Sequence, residues 1–252
     1  DRYLDRIGAT RPARADAAAL AELQLRHLRS IPFENLSIHL GEPIELDPEA
    51  LVDKLVRRRR GGFCYELNGA FAALLSALGY EVTRMAARVH GDGGLGPPFD
   101  HLALRVDTGA TGEWLVDVGF GSFSHYPLRL DEQAGQADPA GSFRVTPTVD
   151  GDLEVARDGQ PQYRVEIRPR LLGDFQPTCW WHQTSPASHF TQSLVCSLLT
   201  DDGRVTLSDR TLVETTGTQR HERILTDDTQ VLDAYRAHFG IELDRPPPSP
   251  TR

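Results

Sequence analysis

The chain has 252 residues, with 27 lysines and arginines against 36 aspartates and glutamates and a net charge of −9. A chain of this length buries a sizeable core without a metal or disulfide staple, either as one large domain or as two or three small ones sharing a site. The acidic balance argues against nucleic-acid binding and favours a soluble protein. The one basic run, Arg57 to Arg60, is interpreted as a solvated helix end.

The cysteines and the hydropathy pattern indicate where the protein works. Cys64, Cys179 and Cys196 include no CxxC pair and are odd in number, which favours a reducing compartment, so we expect a cytoplasmic protein. No run approaches the roughly 18 apolar residues of a membrane span, and the first residues do not form a signal-peptide pattern. We therefore expect no membrane partner, and a disordered tail over residues 246–252.

The first 80 residues are predicted to be helical. An Ala/Leu-rich segment predicts a helix over residues 16–29. A second helix is predicted to begin at Pro48, with Asp47 as its N-cap. Proline suits the first turn, because the backbone N–H that it lacks would have no acceptor within the helix there. A third begins at Cys64 and carries leucines and a phenylalanine at helical spacing up to a stop at Gly79.

The rest of the chain is predicted to be mainly antiparallel sheet. From Glu81 to about Val195, short Val/Thr/Leu/Trp segments alternate with Gly, Pro and Asp clusters, which is typical of strands and turns. Two more strands are predicted over residues 194–199 and 205–207. A closing helix follows over residues 228–239.

Cys64 has the setting of a nucleophile. A cysteine attacks as a thiolate, and a helix N-terminus stabilises that anion through its partial positive charge and unpaired amide donors. Gly61 and Gly62 precede it and let the backbone turn tightly and a ligand approach closely. The alternative is a buried structural thiol, which is also the interpretation of Cys179 and Cys196.

Two strands offer this thiol a base and its partner. Each carries one polar residue on the face opposite its apolar side chains, His101 in the first and Asp117 in the second. A hairpin that turns at Gly109 places His101 opposite Asp117 and Leu104 opposite Trp114. Opposed β-carbons lie about 4.5 to 5.5 Å apart, so the carboxylate can orient the imidazole and stabilise its cation. The pairing predicts a Cys/His/Asp triad.

The motifs around these residues resemble those of arylamine N-acetyltransferases. They are PFENL at residues 32–36, RGGFCYELN at 60–68, DHLAL at 100–104 and VDVGFG at 116–121, in the order that the family shows. A weaker resemblance extends through TSPASHF at 184–190 and the C-terminal helix.

The resemblance implies an α+β fold made of an N-terminal helical bundle, a central antiparallel β-barrel and a C-terminal α/β lid, with a papain-like Cys/His/Asp arrangement and no metal. We divide the chain accordingly into residues 1–80, the bundle with the nucleophile; residues 81–190, the barrel with the histidine and aspartate; and residues 191–252, the lid with its tail.

The resemblance also implies a ping-pong reaction of xenobiotic metabolism with no bound cofactor. Acetyl-CoA, as cosubstrate, acylates Cys64, and a small aromatic amine, hydrazine or hydrazide then takes the acetyl group while His101 accepts a proton. The backbone amide of Cys64 is a candidate donor to the oxyanion.

The resemblance assigns further residues to the substrate pocket. Phe33 and Phe120 line the aryl site, Gly119 and Gly121 let the acyl donor pass close to the backbone, and Phe190 contacts the acceptor or CoA. The competing interpretation of the three aromatic residues is core packing.

Two charged residues beside the nucleophile match family positions. We interpret Arg60 and Glu66 as a supporting network that orients the helix. The histidines other than His101 show no zinc-binding spacing, so no metal site is predicted.

Other functions share this chemistry. A thiol hydrolase uses the same triad, and a related amide synthase releases and cyclises a carrier-bound polyketide chain with an aromatic amine. A non-enzymatic binding module is a third possibility, which three intact triad positions disfavour. No oligomeric state is predicted.

Overall fold

The computed structural model describes residues 1–249. Its α-helices in that range are α1 (Arg2–Arg6), α2 (Ala17–Ser30), α3 (Leu36–Leu40), α4 (Pro48–Val52), α5 (Cys64–Ala77), α6 (Gln176–Thr184), α7 (His189–Gln192) and α8 (Asp228–Ala234). The π-helical turns Asp53–Arg57 and Tyr235–Phe239 continue α4 and α8, and Gly109–Thr111 and Leu172–Phe175 are 3₁₀ turns.

The strands are β1 (Phe33–Glu34), β2 (Glu81–Gly91), β3 (Gly94–Leu95), β4 (His101–Asp107), β5 (Glu113–Val116), β6 (Leu128–Arg129), β7 (Gln136–Asp138), β8 (Gly141–Pro147), β9 (Leu153–Arg157), β10 (Gln160–Val165), β11 (Val195–Leu199), β12 (Gly203–Ser208), β13 (Thr211–Thr216) and β14 (Gln219–Ile224). All their pairings are antiparallel.

The predicted N-terminal helices form where their start signals lie. Asp16 caps α2 by accepting the N–H of Ala19 at 2.9 Å. Asp47 caps α4 in the same way, with Pro48 in the first turn. The third helix, α5, begins at Cys64 as predicted, and its chain turns away at Gly79, whose φ of 94° is a left-handed conformation that favours glycine.

Nine strands form a barrel that is nearly closed. Their order is β6-β5-β4-β2-β10-β9-β8-β7, and β3 pairs with β2. The seam between β6 and β7 is bridged by a side chain instead of a backbone ladder. The amide of Gln136 accepts the N–H of Arg129 at 2.7 Å and donates to its carbonyl at 3.0 Å.

The hairpin register differs from the prediction. β4 and β5 pair Leu104 with Val116, whereas the prediction paired Leu104 with Trp114, so the predicted register is wrong by two residues. The reason lies in the connection, because a 3₁₀ turn over Gly109–Thr111 makes it longer than the tight turn assumed at Gly109.

The two strands nevertheless keep their predicted faces. Because side chains alternate between the two faces of a strand, a register shift of two residues leaves every side chain on its predicted face. β5 ends at Val116, so Asp117 lies just beyond the strand and not directly opposite His101. The two side chains meet along a diagonal of the ladder, which long side chains can span.

The second sheet has the strand order β1-β11-β12-β13-β14 and packs against α8. β1 comes from the first 80 residues, and its Phe33 pairs with Ser197 of β11. The strands predicted over 194–199 and 205–207 are confirmed as β11 and β12, while β13 and β14 were not predicted. The closing helix is confirmed as α8 with its π-turn.

Residues 172–184 and 189–192 are helical, so the prediction of sheet up to Val195 is wrong there. The 3₁₀ turn before α6 begins where Asp174 accepts the N–H of Leu171 at 2.9 Å, and Pro177 lies in the first turn of α6. These start signals are stronger than the strand propensity of the neighbouring residues. Residues of α6 and α7 line the cavity described below.

Three apolar cores hold the molecule together. The first joins the N-terminal helices to one face of the barrel and includes Leu102, Leu104 and Val106. The second lies between the five-stranded sheet and α8, and the third fills the barrel interior. The division at residues 80 and 190 stays a prediction.

The structure also bears on the predicted absence of a membrane span and on the predicted disordered tail. No helix within residues 1–249 is long and apolar enough to cross a membrane. Residues 250–252, the end of the predicted disordered tail, lie outside the described residues, and Pro247 before them is buried.

Candidate active site

A cavity of about 880 Å³ opens between the helices, the barrel and the five-stranded sheet. Seven of the residues predicted to form the site line it: Phe33, Cys64, His101, Gly119, Phe120, Gly121 and Phe190. Asp117 lies behind His101, and Arg60 and Glu66 lie behind Cys64. The structure therefore brings the predicted site residues together in one place.

Cys64 is the first residue of α5 and is 3% exposed. The N–H groups of a first helical turn have no acceptor within the helix, so they point toward whatever lies at its start. Burial raises the pKa of the Cys64 thiol, and the negative charges of Asp100 and Asp117 raise it further against a hydrogen bond from Leu102 that lowers it. The thiol therefore needs a neighbouring base to become a thiolate.

His101 lines the same cavity as Cys64, and Asp117 orients it. Its Nε2 atom lies 2.7 Å from Asp117 Oδ2, and both side chains are buried. The carboxylate engages only this nitrogen, which leaves Nδ1 as the nitrogen available to the cavity. A buried carboxylate in this position fixes the tautomer of the imidazole and stabilises its cation.

Asn68 completes the support of the aspartate. Its Nδ2 atom donates to Asp117 Oδ1 at 2.9 Å and to the carbonyl of Leu102 at 2.6 Å, and its Oδ1 accepts the N–H of Val118 at 2.9 Å. Asp117 Oδ1 also accepts the N–H of Gly119 at 2.9 Å. Asn68 thus ties α5 to β4 and to the segment that follows β5.

Aromatic rings enclose the imidazole of His101. Phe120 and Tyr163 each lie 5.3 Å from it between ring centroids. Burial raises the pKa of the Tyr163 phenol, and the charge of Asp117 adds to the effect, so Tyr163 stays neutral beside the pair. The two rings keep water away from the His101–Asp117 hydrogen bond, and the low local dielectric strengthens that bond.

Gly119 lets the barrel approach the start of α5. A Cβ atom at this position would lie 2.7 Å from the Cα of Cys64 and 2.8 Å from Asn68 Nδ2. No side chain fits there without moving the backbone. Gly121 has a φ of 87°, which favours glycine, and a Cβ atom at this position would lie 3.5 Å from the ring of Phe33.

Phe33, Phe120 and Phe190 are partly buried rings at the cavity wall. Phe33 and Phe190 lie 6.3 Å apart between centroids. Asn35 holds this arrangement, because its Nδ2 donates to the carbonyl of Phe190 at 3.0 Å and its Oδ1 accepts the N–H of Val195 at 2.9 Å. One asparagine therefore anchors the α7 segment to the helical part of the molecule.

Arg60 belongs to a buried ionic network behind Cys64 and the start of α5. Its Nε donates to Glu34 Oε1 at 3.1 Å, and its Nη1 donates to Glu42 Oε2 at 3.1 Å. Burial alone would raise the pKa of Glu34, but the charges of Arg60 and Lys54 outweigh it and lower that pKa.

Glu66 caps α5 from the same network. One oxygen accepts the N–H of Phe63 at 3.2 Å, and the other lies 2.5 Å from Lys54 Nζ, which also donates to Ser37 at 2.8 Å. Burial raises the pKa of Glu66 in spite of Lys54. The network fixes the residue immediately before Cys64.

A second histidine–aspartate pair lies beside the first. His182 Nε2 is 3.2 Å from Asp100 Oδ1, and His182 Nδ1 lies 3.1 Å from the hydroxyl of Ser188. Asp100 precedes His101 and accepts the N–H of Val89 at 3.1 Å. The pair links the segment of the triad histidine to the helices α6 and α7.

Sequence reasoning missed Asn35, Asn68, Asp100, Tyr163 and His182. Asn68 lies one helical turn after Cys64, and this spacing was the one local signal for it. Tyr163 and His182 come from segments distant in sequence. Within residues 1–249, no group of three or more His, Cys, Asp or Glu side chains is arranged to hold a metal ion.

Comparison with known proteins shows the family to which this chain belongs. The model of a family described as N-acetyltransferase matches residues 16–247. The arylamine N-acetyltransferase of Mycolicibacterium smegmatis is 40% identical over 251 residues, which cover 96% of this chain and 91% of that protein. The chain belongs to the arylamine N-acetyltransferase family.

Solved structures agree with this assignment. A C-to-Q variant of the M. smegmatis enzyme superimposes with a TM-score of 0.88 at 39% identity, covering 96% of this chain and 92% of that one. The Mycobacterium marinum arylamine N-acetyltransferase in complex with CoA has a TM-score of 0.86 at 34% identity, covering 95% and 91%. The predicted α+β fold is therefore confirmed.

Proposed function

We propose that the protein transfers the acetyl group of acetyl-CoA to the nitrogen of small aromatic amines, arylhydrazines and hydrazides. The observation that carries this proposal is the meeting of the Cys64 thiol, His101 and the buried Asp117 at one cavity. Family membership and the CoA complex of the M. marinum relative support the choice of donor and acceptor.

In the first half-reaction, His101 takes the proton of the Cys64 thiol, and the resulting thiolate attacks the thioester carbonyl of acetyl-CoA. Asp117 stabilises the imidazolium that forms. The N–H of Cys64, at the start of α5, is our candidate donor to the tetrahedral oxyanion. Collapse of this intermediate breaks the bond to CoA, whose sulfur takes the proton from His101 and leaves as the thiol, and forms acetyl-Cys64 beside a neutral imidazole.

In the second half-reaction, the amine nitrogen attacks the acetyl-Cys64 carbonyl. His101 accepts the proton that the nitrogen loses, and the Cys64 thiolate leaves. The amide product departs, and no cofactor stays bound.

We assign the aromatic wall of the cavity to the acceptor. Phe33, Phe120 and Phe190 would pack against its ring, and their partial exposure at the cavity supports this role. Gly119 and Gly121 would leave room for the acyl donor. Arg60 and Glu66 would hold the start of α5 in place.

Three wider assignments belong to this proposal. We keep the division into a bundle (1–80), a barrel (81–190) and a lid (191–252). Three free thiols without a disulfide support a cytoplasmic location. Broad acceptance of aromatic amines would fit a role in xenobiotic metabolism.

The test is intact-protein mass spectrometry after brief mixing with acetyl-CoA in the absence of an acceptor. We expect a gain of one acetyl group, about 42 Da, on Cys64, which disappears when an arylamine or hydrazine is added. Cys64→Ala removes the adduct, and Cys179→Ala, which changes a buried thiol of α6, serves as the matched control and keeps it.

Two other outcomes would contradict the proposal. An adduct that water discharges as fast as an arylamine does would identify a thiol hydrolase. Folded protein that forms no adduct with acetyl-CoA, but accepts a carrier-bound acyl chain, would identify an amide synthase.

A further inference from the structure

The five-stranded sheet contributes a polar wall to the cavity. Along β12, Val205 and Leu207 are buried in the core beneath α8. Because side chains alternate along a strand, Arg204, Thr206 and Ser208 lie on the other face, where they line the cavity. An arginine thus lies in the same cavity as the nucleophile.

Hydroxyl groups hold this arginine in place. Arg204 Nη1 donates to Ser197 Oγ at 3.0 Å, and Ser197 Oγ lies 2.8 Å from Thr206 Oγ1 across the β11–β12 ladder. A guanidinium has five N–H donors, and this is the one side-chain hydrogen bond that Arg204 makes within residues 1–249. The other donors are left for a ligand.

No carboxylate within the described part of the chain forms an ion pair with Arg204. The same holds for Arg157 of β9, whose Nη1 approaches the carbonyl of Ser122 at 3.4 Å on the cavity wall. Burial lowers the pKa of Arg204, and the positive charge of Arg157 lowers it further. In a protein of net charge −9, an arginine that lines a cavity and a second one that reaches its wall, both without a counter-ion in the described part of the chain, indicate an anion site.

We infer that Arg204, with the hydroxyls of Ser197 and Thr206, binds the phosphate groups of acetyl-CoA, and that Arg157 adds positive potential. This inference rests on the proposed function and deepens it. Acetyl-CoA carries its thioester at one end of a long pantetheine arm and its phosphates at the other, so one donor can reach both Cys64 and Arg204. Arginine and hydroxyl groups are common ligands of phosphate oxygens.

The experiment compares two acetyl donors in the Arg204→Gln variant. One is acetyl-CoA, and the other is the short thioester S-acetyl-N-acetylcysteamine, which has the same reacting group and no phosphate. We expect the ratio of kcat/KM for acetyl-CoA to that for the short donor to fall about tenfold, mainly through a higher KM for acetyl-CoA.

Arg144→Gln is the matched control, because Arg144 is an exposed arginine of β8 and its loss changes the net charge equally. Its donor ratio stays at the wild-type value. Raising the salt concentration should weaken the wild-type preference for acetyl-CoA and have less effect on that of Arg204→Gln.

An unchanged donor ratio in Arg204→Gln, from wild-type protein that acetylates an arylamine with acetyl-CoA, overturns the phosphate site and leaves the proposed function intact. An equal loss with both donors assigns Arg204 to the fold and also overturns the site. Wild-type protein inactive with either donor would instead overturn the proposed function.

Discussion

Two buried polar clusters flank the start of α5, and they differ in how completely their charges are paired. Behind the helix, Arg60 contacts Glu34 and Lys54 contacts Glu66, so each cation has a carboxylate. On the cavity side, Asp117 engages one nitrogen of His101 and leaves the other available.

The difference separates a structural from a chemical use of buried charge. A fully paired network can hold a helix in place, but it has no spare group to exchange a proton with a substrate. The cavity cluster keeps one incomplete position, the second nitrogen of the imidazole, and Asn68 supports the cluster from behind through Asp117. Substitutions in the two clusters should therefore damage different properties.

The largest effect is expected from Asp117→Asn. The amide keeps the shape of the side chain but removes the charge that stabilises the imidazolium, so kcat/KM for acetyl transfer should fall about 10³-fold or more. Steady-state kinetics with an arylamine acceptor measures this, and urea unfolding checks that stability changes much less. A variant that loses stability and keeps its rate would reverse the roles of the two clusters.

The next effect concerns stability. Lys54→Met leaves the carboxylate of Glu66 buried without its cation, so the free energy of unfolding should fall by about 3 to 5 kcal/mol, as measured by urea titration. The double variant Lys54→Met/Glu66→Gln removes both charges and should recover much of the loss. A single variant as stable as the wild type would show that the pair does not support the fold.

A smaller effect tests the incomplete position itself. Burial raises the pKa of the Cys64 thiol above its ordinary value of 9.0, so without an imidazole the thiolate forms only in alkaline solution. In His101→Gln, alkylation of Cys64 by iodoacetamide at pH 7 should slow on the order of 100-fold and should still be rising above pH 9. Fast alkylation of the variant at pH 7 would mean that the helix alone activates the thiol.

The smallest effect comes from a buried group outside both clusters. Burial, with a contribution from the charge of Arg6, lowers the pKa of His27 from 6.5 to about 3, so the folded protein keeps it neutral while the unfolded chain takes up a proton below pH 6.5. Between pH 7 and pH 5 this costs about 2 kcal/mol of stability. The slope of stability against pH should be smaller in His27→Phe, and equal slopes would argue against the shift.

The parts of the site that depend on local signals could be predicted from the sequence. Asp16, Asp47 and Pro48 mark helix starts through contacts within a few residues, and the position of Cys64 follows from the helix that it opens. The faces of β4 and β5 follow from the alternation of their side chains, which a register error of two residues does not change.

The remainder depends on contacts between distant segments. The predicted register of the β4–β5 hairpin was wrong because no strong local signal in the sequence encodes the length of its turn. β14 could not be recognised, since all six of its residues are exposed and no apolar alternation marks it. Tyr163 and His182 reach the site because β10 and α6 pack against it. The residue pattern of one strand or one helix does not show which other elements it packs against.

The pairing of β1 with β11 has a consequence for how the protein forms during synthesis. Asn35, beside Phe33–Glu34, bonds to a residue 160 positions later, so this edge of the cavity waits until that distant segment has been synthesised. Such long-range pairing is a slow step in folding. The nascent chain therefore contains the Cys64 thiol before the wall that encloses it has formed, so oxidants and alkylating agents reach the thiol most easily in that interval.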